Sequence, residues 1–145
     1  MSYTGSKAQT GAGTTLSIGA TPTLIGEVKN IKLNGRKFDT DDVTNMSSTV
    51  KEFIATMMDP GEVSFDFNRV SSDAGQVALE AAFSAGSLSA FTIQLPKAPS
   101  QTTTGDKYAF SALVTECDYS FETTKADAGS AKLKISGTIV ETIGT

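Results

Sequence analysis

Between Gly61 and Gly86 the apolar positions change rhythm from every second residue to helical spacing. Val63, Phe65 and Phe67 alternate with Ser64, Asp66 and Asn68, the pattern of a strand with one buried face. Ser71, Ser72 and Asp73 follow as candidate N-caps, and Gln76 stands three residues beyond Asp73 in capping-box spacing. Val77, Leu79, Ala81, Ala82 and Phe83 then recur as on a helix, and Gly86 sits where a helix end wants a left-handed residue. The spacing predicts a helix over about 73–85, with a small face of Ala74, Ala78, Ala81, Ala82 and Ala85 able to approach a sheet closely. Phe65 and Phe67 are expected to be buried against Leu79 and Phe83.

Almost all the rest reads as strand. Residues 14–18 are a first short strand, and Thr21-Pro22 breaks it. Residues 23–34 read as one long strand whose apolar phase slips between Val28 and Ile31, so a bulge is expected near Lys29-Asn30. Residues 36–47 are polar and read as a loop, residues 48–57 as a strand, and Asp59-Pro60-Gly61 as a turn. Phe91, Ile93 and Leu95 alternate in a strand at 89–97, and 98–106 is a polar loop. Residues 107–122 hold two phases, Phe110, Ala112 and Val114 against Cys117, Tyr119 and Phe121, which a bulge at Thr115-Glu116 or a bend between sheets would reconcile. A turn at 125–129 precedes a last strand carrying Leu133, Ile135 and Ile139. The expected fold is mainly β, a β-sandwich or barrel-like domain spanning 1–145 with one flanking α-helix.

Two stretches do not fit a self-contained core. Residues 1–13 are polar and glycine-rich and read as an extended, flexible arm. The excursion at 35–60, a long loop or hairpin, carries Phe38, Val43, Met46, Phe53, Ile54, Met57 and Met58. These are too many for a disordered linker and too dispersed for a second core. A connection of this length is usually functional, and its apolar residues are expected to order against another copy of the chain or another partner.

Composition narrows the chemistry. The formal charge of −4 comes without a basic run, which argues against tight nucleic-acid binding. There is no histidine, so the common zinc sites and the Ser-His and Cys-His nucleophile pairs are excluded. The one cysteine, Cys117, cannot form an internal disulfide and is expected to be a small buried hydrophobe. It fits synthesis in a reducing cytoplasm. The N-terminus lacks the apolar run of a secretory signal, and no stretch reaches the length of a membrane helix, so neither is expected. Asp39, Asp41 and Asp42 lack the glycine and distal glutamate of a calcium loop. Glu62 and Asp66 share a strand face, but the chain has no Trp to build a sugar platform beside them. No catalytic, metal or cofactor site is expected. A monomeric β-sandwich binding module is the other reading, and the missing Trp weighs against a carbohydrate ligand.

The order and spacing of the segments resemble a known family. GEVKNIKLNG, then KFDTDDVTNMSSTVKEFIATMMDPG, then EVSFDFN and a single helix are similar to the tail tube proteins of long-tailed, siphovirus-type bacteriophages. FTIQLPKAP, AFSALVTECDYSFE and KLKISGTIV continue the resemblance from about Thr14 to Thr142. No appended C-terminal immunoglobulin-like domain is seen, which some members carry. The resemblance implies hexameric rings stacked into a hollow tube that conducts the viral genome into the host. It implies strands joined across subunits into an inner barrel, with the helix outside. It further implies assembly with a tape-measure protein and with tail-terminator and tip proteins. DNA would pass through the lumen without specific binding, and no membrane would be involved. The protein would be made in the host bacterial cytoplasm and reside in the virion tail. Related folds in contractile-tail and secretion-system tubes keep a secretion-system tube subunit as an alternative. In such subunits the arm and the long loop reach neighbouring subunits and rings. That makes Arg36, Lys37, Phe38, Asp39, Asp41, Asp42, Phe53, Ile54, Met57 and Met58 the candidate inter-subunit contact residues.

Overall fold

The computed structural model describes Gln9 and residues 12–145; the expected arm therefore lies outside the described residues except for Gln9, Ala12 and Gly13. The elements are β1 (Thr15–Ile18), β2 (Thr23–Leu24), β3 (Val28–Asn34), β4 (Lys37–Asp42), β5 (Phe53–Asp59), β6 (Glu62–Asn68), α1 (Ala74–Ala85), β7 (Ser89–Gln94), β8 (Lys107–Ser120) and β9 (Ala128–Thr142). Seven strands form one antiparallel sheet in the order β2-β1-β7-β8-β9-β6-β3, while β4 and β5 pair only with each other.

The connectivity forces the sheet to curl. β2 and β3 are its two edges, yet only Ile25, Gly26 and Glu27 separate them in sequence. Four Cα steps reach at most about 14 Å, whereas the edges of a flat seven-stranded sheet would lie about 29 Å apart. The sheet is accordingly a strongly curled half-barrel. Backbone bonds from Ile25 to Leu16 (2.9 Å) and from Asn68 to Glu27 (3.0 Å) tie the crossing segment to both sides.

Only one face of the sheet is dry. Leu16, Ile18, Phe91, Ile93, Phe110, Ala112, Val114, Leu133, Ile135, Val63, Phe65 and Phe67 are buried together with Leu79 of the helix. Cross-strand register keeps them on the same side: Phe91 lies opposite Phe110, Val114 opposite Leu133, and Leu133 opposite Val63. The expected bulges are present, one in β3 between Lys29 and Lys32 and one in β8 between Val114 and Glu116. The second bulge is what lets Val114 and Cys117 share the core side despite their odd spacing.

The helix is capped as its sequence suggests. The Asp73 side chain accepts from the Gln76 N–H at 2.9 Å, and Gly86 ends the helix with φ of 64° and its N–H on the Ala82 carbonyl. Gln76 does not close a reciprocal capping box. Its side-chain oxygen accepts from the Val70 N–H and its nitrogen donates to the carbonyls of Gly26 and Asn68. The buried amide thereby fastens the helix both to the crossing segment at Gly26 and to the chain leaving β6. Gly75 lies so close that a Cβ there would collide with the Leu24 carbonyl.

Five expectations need correction. The run read as a loop at 36–47 contains β4, because backbone pairing with β5 holds six exposed residues extended without any apolar alternation. β5 begins at Phe53, later than 48–57 implied, since 43–52 form the hairpin tip. The single strand expected at 23–34 is two strands on opposite sheet edges, split by a turn in which Glu27 has φ of 58°. Phe65 and Phe67 are buried as expected, but Phe83 is 41% exposed, so the helix meets the core through Gly75, Gln76, Leu79 and Ala82. Cys117 is half-buried rather than fully interior; burial pushes its pKa up, against a smaller opposing effect of the contact with the Tyr119 hydroxyl at 3.4 Å.

Candidate assembly surface

The hairpin β4–β5 is built by its own polar groups. At its tip the Glu52 N–H donates to the Thr44 hydroxyl (2.8 Å) and the Val43 N–H to the Glu52 carbonyl (2.9 Å). Asn45 Oδ1 accepts from the N–H and hydroxyl of Ser47, and the Ser48 hydroxyl donates to the Glu52 carboxylate. The Thr44 hydroxyl and, after it, the Thr44 N–H (2.9 Å from Asp42 Oδ1) hold the Asp42 carboxyl below its ordinary pKa. At its root, Asp59 accepts from the Gly61 N–H (2.9 Å) and from Lys134 of β9 (3.2 Å), and its carboxyl lies below the usual range mainly because of the Gly61 bond.

Apart from that root, the hairpin packs on nothing to any extent: β4 and β5 contact each other, and neither makes a substantial contact with another element. Half of the large apolar side chains exposed among the described residues nevertheless fall between Phe38 and Met58, with Met46 and Met57 almost wholly in solvent. Register places Phe38 against Met58 and Asp42 against Phe53 on one side, with Asp41 against Ile54 and Lys37 against Asp59 on the other. The structure thus gathers all ten sequence-proposed contact residues, Arg36, Lys37, Phe38, Asp39, Asp41, Asp42, Phe53, Ile54, Met57 and Met58, on the hairpin and its root, every one exposed.

A second feature is the polar face of the half-sheet β3-β6-β9-β8. Ser64, Asp66 and Asn68 on β6 and Glu116 and Asp118 on β8, which sequence could not relate to one another, share this face: Asp66, Ser130 and Asp118 form one cross-strand row, and Ser64, Lys132 and Glu116 the next. Ser64, Asp66, Glu116, Ser130 and Lys132 line a groove of about 610 Å³ together with Asn30 and Lys32. Its one ion pair is Lys132 with Glu116 at 3.7 Å. Glu62 lies on the same face opposite Lys134 and Asn34. Among the described residues no three metal-ligating side chains cluster, and no helix is long and apolar enough to cross a membrane.

The curled sheet with one flanking helix is a fold also found in solved structures of phage-type tails. No protein-family model matches the chain, and no curated protein is similar to it in sequence. Solved structures carry the likeness. A chain of the virion of a native gene transfer agent particle superposes with a TM-score of 0.74 at 15% identity, covering 93% of this chain and 99% of the other. The tube-terminating cap of the anti-feeding prophage gives 0.75 at 10% identity, over 99% and 97%. The SPP1 tail tube gives 0.66 at 14% identity, over 91% and 77%.

Proposed function

We propose that the chain is a structural, non-enzymatic subunit of a phage-type tail tube. Copies form hexameric rings that stack into a hollow conduit for the viral genome, and the protein resides in the virion tail. The observation that carries this reading is the hairpin: it projects from the core studded with exposed apolar side chains, a surface that a second copy would cover. In this reading Phe38, Phe53, Ile54, Met57 and Met58 supply the buried centre of the contact, as methionine and aromatic side chains do at adaptable interfaces. Arg36, Lys37, Asp39, Asp41 and Asp42 form its mixed-charge rim, which lets stacked copies pair without net repulsion. The fold adds support, since the gene transfer agent tail that it resembles was refined with six-fold symmetry. A tape-measure protein and terminator proteins complete the assembly, and DNA passes without specific binding.

Negative-stain electron microscopy of the purified protein over a concentration series tests the reading. Rings or tubes of uniform diameter are expected. A protein that stays a single-chain species at the highest attainable concentration overturns it and favours a monomeric binding module.

A further inference from the structure

The hairpin leaves the core at Asn34 and returns at Gly61, and this waist is tight. Gly35 and Gly61 both have left-handed backbone, with φ of 78° and 91°, and a Cβ on Gly61 would collide with the Asn34 carbonyl oxygen. Asn34 is the last residue of β3, exposed and opposite Glu62 of β6. Of the asparagines in the chain, Asn30, Asn34, Asn45 and Asn68, only Asn34 is followed by glycine. The others precede Ile31, Met46 and Arg69, whose side chains shield the backbone nitrogen that follows the asparagine. Asn45 is further held by the Ser47 N–H and hydroxyl on its Oδ1. At the hairpin root the side-chain bonds belong to Asp59, with the Gly61 N–H and Lys134, and neither holds the Asn34 amide. An exposed asparagine amide beside a nitrogen that no Cβ covers is a reactive pair.

We propose that Asn34 is a site of spontaneous covalent modification, at which deamidation through the Gly35 nitrogen loosens the waist of the hairpin. The Gly35 backbone nitrogen gives its proton to solvent and attacks Asn34 Cγ. A bond forms between that nitrogen and Cγ, the bond from Cγ to Nδ2 breaks, and Nδ2 takes up a proton and leaves as ammonia. Water then opens the resulting succinimide ring at one of its two carbonyl carbons. Opening at Cγ leaves an aspartyl residue with an ordinary main chain. Opening at the main-chain carbonyl leaves an isoaspartyl residue, whose main chain runs through Cγ. Asn34 can turn toward the attack because it ends an edge strand and is paired on one side only. Both products place a carboxylate opposite Glu62, and like charges facing each other across a strand pair are destabilising. The isoaspartyl form also lengthens the main chain by one carbon where Gly61 already crowds the Asn34 carbonyl. The damage stays local, because the next pair inward is Leu33 with the fully buried Val63. The sheet keeps its fold while the hairpin loses its fixed direction.

The chemistry stands apart from assembly; only its consequence for tubes rests on the reading that the hairpin is an assembly contact. The full chain, aged in warm, mildly alkaline buffer, is followed by peptide mapping with mass spectrometry and by labelling with a protein-isoaspartate methyltransferase. Conversion at Asn34 should be about tenfold faster than at Asn30, Asn45 or Asn68, because glycine opens backbone geometries closed to the residues that follow those. Asn34→Gln should remove the methyl-accepting signal. Hydrogen exchange should rise over 34–37 and 59–62 of the aged chain, while β8 and β9 exchange as before. Fresh wild-type tubes are the control for assembly: aged wild type should lose tube formation in proportion to its isoaspartate, and aged Asn34→Gln should keep it. Conversion at Asn34 no faster than at the other asparagines overturns the proposal, as does unchanged exchange at the waist of converted chains. Loosened chains that still form tubes like fresh ones would instead overturn the part given to the hairpin in assembly, and failure of fresh wild type to assemble would overturn the tube reading.

Discussion

Replacing Lys37–Asp59 by a four-residue Gly/Ser turn should abolish tube growth while leaving the folded sheet almost unchanged in stability. The excision is sterically feasible because the two ends of the hairpin already meet: a Cβ on Gly35 would lie 3.6 Å from the Gly61 Cα. The stability change follows from what the hairpin touches. None of the buried core residues belongs to it, so no cavity is opened. The loss is the Asp59–Lys134 contact, between side chains 35% and 49% exposed, a surface pair that solvent screens to little net stabilisation. Against it, shortening the connection from roughly twenty residues to four removes about 1.4 kcal/mol of loop-closure entropy at about 0.6 kcal/mol per doubling. Both effects are small and of opposite sign, and a melting temperature within about 5 °C of wild type is expected. Thermal melting by circular dichroism and electron microscopy at matched concentration are the assays. Long tubes from the shortened chain would show that the hairpin is not the stacking contact. A chain that no longer folds would mean that the hairpin supports the core, and the separation drawn between core and contact would be wrong.

Phe67→Ala removes a fully buried ring that packs at 5.9 Å from Phe65 and edge-on at 6.2 Å to Tyr119, and should cost about 3–5 kcal/mol in urea unfolding; a cost near zero would refute the assigned strand face. Gln76→Leu leaves the Val70 N–H and the carbonyls of Gly26 and Asn68 without their partner, and a loss of about 1–3 kcal/mol is expected, with Gln76→Glu failing to restore it because a carboxylate cannot donate to those carbonyls. Gly75→Ala should destabilise by about 1–3 kcal/mol, since the Leu24 carbonyl must move; a neutral effect in the melting curve would show that the helix is less closely docked than described. Asp59 has a lowered folded-state pKa, so its stabilisation is complete above the ordinary value of 3.8 and disappears as pH falls through the lowered value. Asp59→Asn should therefore flatten the acid limb of the stability profile, and an unchanged limb would count against the root contact.

The local rhythm of the chain determined a good part of this protein without help. Alternation at Val63, Phe65 and Phe67 located β6 and its buried face, because a period of two admits only one dry side. Asp73 and Gly86 set the helix ends, since capping depends on residues within a turn of each other. Phase slips in β3 and β8 revealed both bulges for the same local reason. The apolar residues of the hairpin were also legible as surplus to the core. What tertiary structure alone decided is non-local. β4 has no apolar alternation, and only pairing with β5 makes it a strand. The run 23–34 belongs to two edges because the sheet curls, and curling is a property of seven strands closing on a three-residue link. Phe83 has helical spacing suited to the core yet points to solvent, because the close seat of Gly75 on Leu24 fixes the rotation of the helix. The polar rows across β6, β9 and β8 are likewise invisible along the chain. Asp66 and Asp118 are far apart in sequence, and only the register of the strand between them sets them level in one row.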